Sequence, residues 1–135
     1  MNLKIQNVNF QGYFIGKKSS ETTVNKQDIL DKMYSLHIAG SVHDDKVVAD
    51  TNITASIFNN QERDLEFATF LIRNKIQFTW YPIADKKPVE QEFMQLEEDK
   101  ISYEGKTLNE KSVNFVQYLI KINQPLKWTP SIKSE

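Results

Sequence analysis

The sequence predicts one α+β domain spanning residues 1–135, in which a four-stranded antiparallel meander sheet precedes two C-terminal helices. Three observations support this fold class. Apolar residues alternate in the first half, helical spacing replaces the alternation in the second half, and no linker divides the chain. The first helix should be short and the second longer, and both should pack on one face of the sheet. An extended, proline-bounded tail should close the chain.

Alternating apolar residues in the first half predict the strands of the meander. The predicted strands run from Leu3 to Phe14, from Leu30 to Val42, from Val47 to Ile57 and from Leu65 to Tyr81. His43 to Lys46 should be a tight turn, because aspartate side chains hydrogen-bond their own backbone in turns. Asn59 to Asp64 should form the next turn, and Pro82 ends the last strand. Strands joined by such short turns form an antiparallel meander.

The last predicted strand changes the face on which its apolar residues fall. Leu65, Phe67 and Leu71 occupy odd positions. The apolar residues at even positions are Phe70, Ile72, Ile76, Phe78 and Trp80. A β-bulge would explain the change, because one extra residue reverses every side chain that follows it. Two helices cover only one face of a sheet, so we expect the odd-position residues to lie in an interface of a homo-oligomer, a dimer or tetramer.

Helical spacing appears in the second half. Pro88 suits a first helical turn, and apolar residues follow it at i, i+4 and i+7: Val89, Phe93 and Leu96. Thr107 and Glu110 have the spacing of a capping box, which predicts the start of the longer helix. The apolar stripe of that helix comprises Val113, Val116, Leu119 and Ile120, with Phe115 beside them. Pro125 and Pro130 should keep the tail extended.

Composition excludes several classes of protein. The net charge of −1 gives no general attraction to nucleic acid or to anionic lipid. Arg63 and Arg73 are the only arginines, and arginine is the preferred residue for bidentate phosphate binding. The chain has no cysteine, which excludes disulfides and thiolate metal sites. No apolar run is long enough for a signal peptide or a membrane span, so we expect a cytoplasmic protein that binds neither nucleic acid nor membrane.

No residue pattern predicts catalysis, a cofactor or a metal. His43, Asp44 and Asp45 share the predicted turn, where aspartate is favoured for its backbone hydrogen bonds, and no calcium-loop or zinc-helix spacing is present. The Gly-x-Ser-x-Gly pattern of a serine nucleophile is absent. The segment from Gly12 to Gly16 lacks the spacing of a phosphate-binding loop. We therefore expect a protein that is not an enzyme.

The order of the predicted elements resembles that of the SecB export chaperones and their SecB-like relatives. The residues that carry the resemblance are Asn52–Phe58, Ile76–Trp80, Phe115–Ile120 and Gln124–Ile132. The run Pro125-Leu-Lys-Trp-Thr-Pro130 is a loose version of the proline-bounded segment that follows the main helix in this family. Two features depart from the family. The main helix begins Glu110-Lys-Ser-Val-Asn-Phe where the family often has a Phe-Pro-Tyr-like start, and the acidic second helix of some members has no counterpart here.

The resemblance implies a cytoplasmic, ATP-independent holdase that assembles as a dimer of dimers and holds unfolded polypeptides in apolar grooves. It also implies a role in protein export, in which the SecA motor would be a partner, although the missing acidic helix weakens that expectation. Aromatic side chains suit such grooves because they contact varied sequences. The candidate client-binding residues are Phe78, Trp80, Tyr81 and Trp128, and the alternative for each is a place in the core.

Two other functions remain open from the sequence. The first is a dedicated interaction module, an inhibitor or adaptor that binds one folded partner through an exposed sheet face. The second is a small-molecule carrier whose cavity would be lined by Phe10, Phe14, Phe70 and Phe78.

Overall fold

The fold is that of a computed structural model, which describes residues 13–51, 60–82 and 88–132. The elements of these residues, in chain order, are β1 (Tyr13–Lys18), α1 (Lys26–Ser35), β2 (Ala39–His43), β3 (Lys46–Asp50), α2 (Asn60–Arg73), β4 (Ile76–Tyr81), β5 (Met94–Glu97), α3 (Leu108–Lys121) and β6 (Leu126–Thr129). The α+β class is confirmed. The four-stranded meander with two helices is wrong, because the described residues form a six-stranded mixed sheet with three α-helices.

The strand order across the sheet is β2-β3-β1-β4-β6-β5. The neighbours among β1 to β4 all pair antiparallel, and with α1 and α2 they have the order and directions of the split βαβ, or ferredoxin-like, motif. The second half of the chain extends this sheet: β6 pairs antiparallel with β4, and β5 pairs parallel with β6 at the edge. Parallel neighbours need a long crossover connection, and the segment that contains α3 supplies it.

The stretch predicted as the first half of the last strand, from Leu65 onward, forms α2 instead. Its buried residues recur at intervals of three and four, as one face of a helix requires: Arg63, Asp64, Phe67, Ala68, Leu71 and Ile72. From Ile76 onward the buried residues alternate, as they do in a strand. The change of face in the sequence is therefore a change of period between a helix and a strand. The turn predicted up to Asp64 lies within this helix from Asn60.

The strand predicted from Leu30 to Val42 is also wrong in its first part, which forms α1. Asn25 and Asp28 cap this helix, since the Asp28 amide donates to Asn25 Oδ1 (2.9 Å) and the Asn25 amide donates to Asp28 Oδ2 (3.0 Å). Such a reciprocal cap is readable in the sequence as a helix start. The tight turn predicted at residues 43–46 is confirmed, because β2 and β3 form a hairpin around it. The predicted strand segments at residues 3–10 and 53–57 lie outside the described residues.

In the second half of the chain, the predicted capping box and extended tail are confirmed, but the short helix is not. The short helix predicted after Pro88 is a single 3-10 turn at Glu90–Glu92, followed by β5. The capping box is confirmed: the Glu110 amide donates to Thr107 Oγ1 (3.0 Å) and the Thr107 amide donates to Glu110 Oε1 (3.2 Å). The tail is extended as predicted, but it forms β6 inside the sheet, between β4 and β5.

All three helices lie on one face of the sheet. Phe14 of β1 contacts Phe67 of α2, with 5.3 Å between the ring centroids. Met33 of α1 packs so closely on Gly40 of β2 that a Cβ atom at Gly40 would lie 2.5 Å from Met33 Cε. Below α3, Trp128 of β6 donates from Nε1 to the Ser112 hydroxyl (3.0 Å). The core therefore lies between the sheet and the helices. None of the described helices has the length and apolarity that a bilayer span requires.

A buried ion pair ties the two halves of the chain together. Glu98, which follows β5, is fully buried and accepts from Lys75 Nζ (2.6 Å), from the Ser131 amide (2.9 Å) and from Asn109 Nδ2. Lys75 lies in the turn between α2 and β4 with a left-handed φ of 58°. Every oxygen of the buried carboxylate is thus hydrogen-bonded, which offsets the cost of removing the charge from water.

Replacing Glu98 should destabilise the fold far more than replacing its neighbour Glu97. Glu98→Gln keeps the shape but leaves the Lys75 ammonium without a counter-charge. We expect a loss of roughly 3 kcal/mol, the lower end for breaking a buried pair, because 25% of the Lys75 side chain is exposed. The measurement is the free energy of unfolding in urea.

Glu97→Gln is the matched control. The Glu97 side chain is 59% exposed, and its one ion pair within the described residues is with Lys100 of the next turn (3.3 Å), so its loss should cost less than about 0.5 kcal/mol. Equal effects of the two substitutions would contradict the assigned role of Glu98.

Candidate functional site

Three of the four predicted client-binding residues lie in the core. Phe78, Trp80 and Trp128 are 2%, 1% and 1% exposed, because they occupy the positions of β4 and β6 that point toward the helices. The Phe78 ring contacts that of Trp128, with centroids 5.9 Å apart. Tyr81 points to the opposite face and is partly exposed. The structure thus places the three buried side chains where a groove for a client polypeptide cannot reach them without unfolding.

The three residues predicted for the oligomer interface belong to α2. Phe67 and Leu71 are fully buried on its inner side, and Leu65 is partly buried against the same core. The uncovered strand face to which they were assigned does not exist, because this segment is helical. The predicted interface depended on that strand face, so the structure gives no support for an interface at these residues.

The residues predicted to line a ligand cavity do not form one among the described residues. Phe14 and Phe78 contact each other, with centroids 5.7 Å apart. Phe70 stacks on Phe67 at the side of α2, partly exposed. Phe10 lies outside the described residues. The described rings pack against other rings, so they fill space that a ligand would need.

The face of the sheet opposite the helices is the main candidate surface, and we call it the open face. Its side chains, taken from the central strands, are Tyr13, Ile15, Lys17, Lys46, Val48, Asp50, Gln77, Thr79, Tyr81 and Lys127. Among the described residues no α-helix packs on this face. The 3-10 turn at Glu90–Glu92 and the following Phe93 cover only one corner. Sequence analysis found Tyr81 but not the rest, because alternation alone does not tell which face the helices cover.

One corner of the open face is aromatic. Tyr13 and Tyr81 are cross-strand neighbours whose ring centroids lie 5.6 Å apart, and Tyr81 meets Phe93 edge-on at 5.3 Å. Lys127 lies 5.2 Å from the Phe93 ring and pairs with Glu90 (2.7 Å). Burial, followed by the charge of Asp50 and the neighbouring Tyr81, raises the pKa of the Tyr13 phenol, which favours its neutral form. This corner thus presents rigid apolar rings with hydroxyl tips.

The other end of the open face is basic and concave. Lys17 of β1 and Lys46 of β3 lie directly opposite each other, and both are exposed. They border a depression of about 400 Å³ whose lining comprises Ile15, Gly16, Lys17, Asp45, Lys46, Gln77, Phe78 and Thr79. The open face therefore changes along the strands, from aromatic at one end to basic at the other.

A second surface lies on the outer side of α3, and we call it the α3 stripe. It comprises Tyr103, Leu108, Phe115, Tyr118 and Ile122. The Tyr103 ring contacts that of Phe115, with centroids 4.9 Å apart, and Phe115 stacks on Tyr118 at 6.4 Å. Tyr118 and Ile122 are 47% and 52% exposed. The heptad spacing from Leu108 to Phe115 to Ile122 could have revealed this stripe in the sequence.

No three potential metal-ligating side chains (His, Cys, Asp or Glu) lie together within the described ranges. At the turn between β2 and β3, His43 Nε2 lies 3.6 Å from Asp44 Oδ2, and both side chains are almost fully exposed. Water therefore surrounds this pair, and the turn offers no enclosed site.

Asp64 of α2 is the unusual buried acid. It is 4% exposed, its Oδ2 accepts from Trp80 Nε1 (3.1 Å), and within the described residues its Oδ1 has no partner at hydrogen-bond distance. Burial raises the pKa of this carboxyl to about 7, against the opposing effects of hydrogen bonds from Thr51 and Trp80 and of the Arg63 charge. Sequence analysis missed Asp64 because it assigned the residue to a turn. Because Asp64 is buried, we expect its ionisation to affect the stability of the fold.

Asp64 should make the protein less stable as the pH rises toward neutrality. Between the ordinary pKa of 3.8 and the folded value of about 7, the folded protein holds a proton that the unfolded chain has lost. The stabilisation is fully present below the lower value and is lost as the pH rises through the upper one, with a slope of up to about 1.4 kcal/mol per pH unit.

The measurement is the free energy of unfolding of wild type and Asp64→Asn across this pH range. The substitution should remove this part of the pH dependence, because an amide does not titrate. The exposed Asp99→Asn should keep the wild-type profile. Parallel profiles for wild type and Asp64→Asn would show that Asp64 does not bind the proton.

Comparisons of the chain with protein-family models, with curated proteins and with solved structures give no match. The resemblance to SecB-like chaperones therefore stays a prediction. The surfaces on which a function can be argued are the open face and the α3 stripe.

Proposed function

We propose that this protein is an interaction module that binds one folded protein partner through the open face of its sheet. The observation that supports this proposal is the placement of all three described helices on one side of the sheet. The other side keeps an ordered row of partly exposed side chains, which includes Tyr13, Ile15 and Tyr81. Large amphipathic rings of this kind are enriched in the centres of protein interfaces.

The strands hold these side chains in place before any partner binds. Tyr13 and Tyr81 already contact each other, and Ile15 and Val48 are paired across β1 and β3. Little side-chain entropy is then lost on association, so more of the burial energy contributes to affinity. Burying one large apolar side chain contributes about 1.5–3 kcal/mol. A broad, preformed sheet face suits a folded partner with a matching surface.

The partner proposed here is a protein because apolar side chains, Ile15 and Val48, lie at the centre of the open face and aromatic rings lie at one corner. The net charge of −1 gives no general attraction to nucleic acid. Binding is thus expected to depend on Ile15 and Val48, at the centre of the face, more than on charge at its rim.

An ATP-independent holdase is the second candidate, and the α3 stripe is the observation that favours it. Phe78, Trp80 and Trp128 are buried, so a client would have to bind elsewhere. The α3 stripe offers an exposed apolar surface with aromatic rings, which suits weak contacts with varied unfolded chains. The holdase proposal therefore assigns client binding to the outer side of α3 and not to a groove beside β4.

Matched double substitutions separate the two candidates. Ile15→Gln with Val48→Gln changes the open face, and Tyr118→Gln with Ile122→Gln changes the α3 stripe. Neither pair alters the net charge, and far-UV circular dichroism checks that each variant folds. The open-face variant should lose a stoichiometric partner that the wild type and the stripe variant retain. The expected drop in affinity is about a hundredfold, because two apolar contacts are lost and each is worth about 1.5 kcal/mol.

The measurement is quantitative affinity capture from cells that express the protein, followed by titration of the recovered partner. Equal binding by wild type and the open-face variant would contradict the proposal. Light scattering adds a check for a second copy of the chain. An oligomer that becomes monomeric only in the open-face variant would assign this face to self-association.

The holdase is tested by light scattering of a chemically unfolded substrate that is diluted without ATP. Protection by wild type that is lost only in the stripe variant would support a holdase. No protection at several-fold excess of wild type would exclude it.

A further inference from the structure

We propose that the basic end of the open face, at Lys17 and Lys46, binds carboxylate side chains of an acidic segment of the partner protein. This inference rests on the proposed function, because it assigns the partner's chemistry at the same face.

The first support is the register of the two lysines. Lys17 and Lys46 are direct cross-strand partners in the antiparallel pair of β1 and β3, on the same face of the sheet. Side chains in such pairs are neighbours, and like charges in direct opposition repel. The two ammonium groups repel each other in the free protein. An anion bound between them would replace this repulsion with a net attraction.

The second support is that these two charges have no counter-charge. Neither lysine side chain forms an ion pair or hydrogen bond with any part of the chain that the structure describes. Lys127, the other lysine of the open face, is paired with Glu90. Elsewhere, Lys32 is paired with Glu66 and Lys75 with Glu98. The lysine pair therefore differs from these cations in being uncompensated.

The third support is the shape and chemistry of the depression beside the pair. Its volume of about 400 Å³ is enough for a few side chains of a partner. Gln77 and Thr79 line it, and their side chains make no hydrogen bond within the described residues. An amide and a hydroxyl donor thus accompany the two ammonium groups, while Ile15 contributes apolar surface.

One acid also borders the depression. Asp45 lies in the turn, where its backbone carbonyl accepts from the Lys18 amide (2.7 Å) and holds the turn against β1. Lys17, Lys46 and Asp45 together keep one net positive charge. The attraction is therefore local and moderate, as expected for the rim of an interface whose centre is apolar.

The chemistry favours carboxylates of a protein over the phosphates of a nucleic acid. The depression contains no arginine, the residue that binds phosphate through two parallel hydrogen bonds. Nucleic-acid binding also needs a row of phosphate contacts, whereas Ile15 and Val48 continue this surface with apolar side chains. An acidic segment that flanks an apolar patch would match both parts of the face.

The test uses a short synthetic peptide of alternating Glu and Val residues as the probe. The same peptide with Gln in place of Glu, inorganic phosphate and a short oligothymidine are the comparison ligands. Each is titrated into the full-length, ¹⁵N-labelled protein at low salt, and amide chemical shifts are followed by NMR. The acidic peptide should shift the amides around Lys17, Lys46 and Thr79, and its affinity should fall as salt is added.

A charge-matched pair of variants shows whether the two lysines are responsible. Lys17→Gln with Lys46→Gln should weaken peptide binding about fivefold, the factor for two exposed ion pairs of ordinary strength. Lys106→Gln with Lys121→Gln removes the same charge from exposed sites at the ends of α3 and should leave binding unchanged. Equal losses in both variants would reduce the effect to net charge and overturn the proposal. Binding of phosphate or oligothymidine that is tighter than binding of the acidic peptide would also overturn the proposal. The same holds if the acidic peptide does not bind.

The outcome separates this inference from the proposed function. If Ile15→Gln with Val48→Gln abolishes partner binding while Lys17→Gln with Lys46→Gln has no effect on partner or peptide, only the acidic-segment inference fails. If the Ile15 and Val48 substitutions leave partner binding intact, the proposed function fails first.

Discussion

The buried contact between Glu98 and Lys75 joins the βαββαβ unit, from β1 to β4, to a second unit that comprises β5, α3 and β6. Lys75 belongs to the βαββαβ unit, in the turn that leads from α2 into β4. Glu98 belongs to the second unit, directly after β5, and also binds the start of α3 and the segment after β6. The Lys75 carbonyl accepts from the hydroxyls of Ser19 (2.6 Å) and Thr22 (2.9 Å), so the loop after β1 is held at the same point. A fully hydrogen-bonded buried charge tolerates few alternative arrangements, which makes this contact a constraint on how the units dock.

Docking of the second unit decides the shape of the molecule's surfaces. β6 pairs with β4 and widens the sheet, while α3 packs beside α2, where Gln117 Nε2 donates to the Thr69 hydroxyl (3.0 Å). The helices then form one layer, and the open face becomes broad enough to carry an aromatic corner, an apolar centre and a basic end. The same docking leaves the outer side of α3 exposed. Both candidate surfaces are thus consequences of one layer of helices on one side of a sheet.

The candidate site was only partly predictable from the sequence. Alternation correctly groups Phe78 with Trp80, and it separates both from Tyr81. It does not say which group faces the helices, because a strand has the same period on both faces. Three of the four aromatic residues predicted to bind a client, Phe78, Trp80 and Trp128, fill the core, where their area stabilises the fold most. The lysine pair was unpredictable for another reason: Lys17 and Lys46 become neighbours only through the register of β1 with β3.

By itself the sequence determined the features that depend on a few adjacent residues. The turn at residues 43–46, the Thr107–Glu110 cap and the extended tail follow from local hydrogen bonding or from proline geometry, and the α+β class follows from the change of apolar spacing along the chain. Tertiary structure alone decided that Phe67 and Leu71 belong to a helix, since a spacing of four is compatible with both a helical and an alternating pattern. Their burial against Phe14 and the rest of the core favours the helix. Tertiary structure also placed the tail between β4 and β5, because strand pairing joins residues that are far apart in the chain.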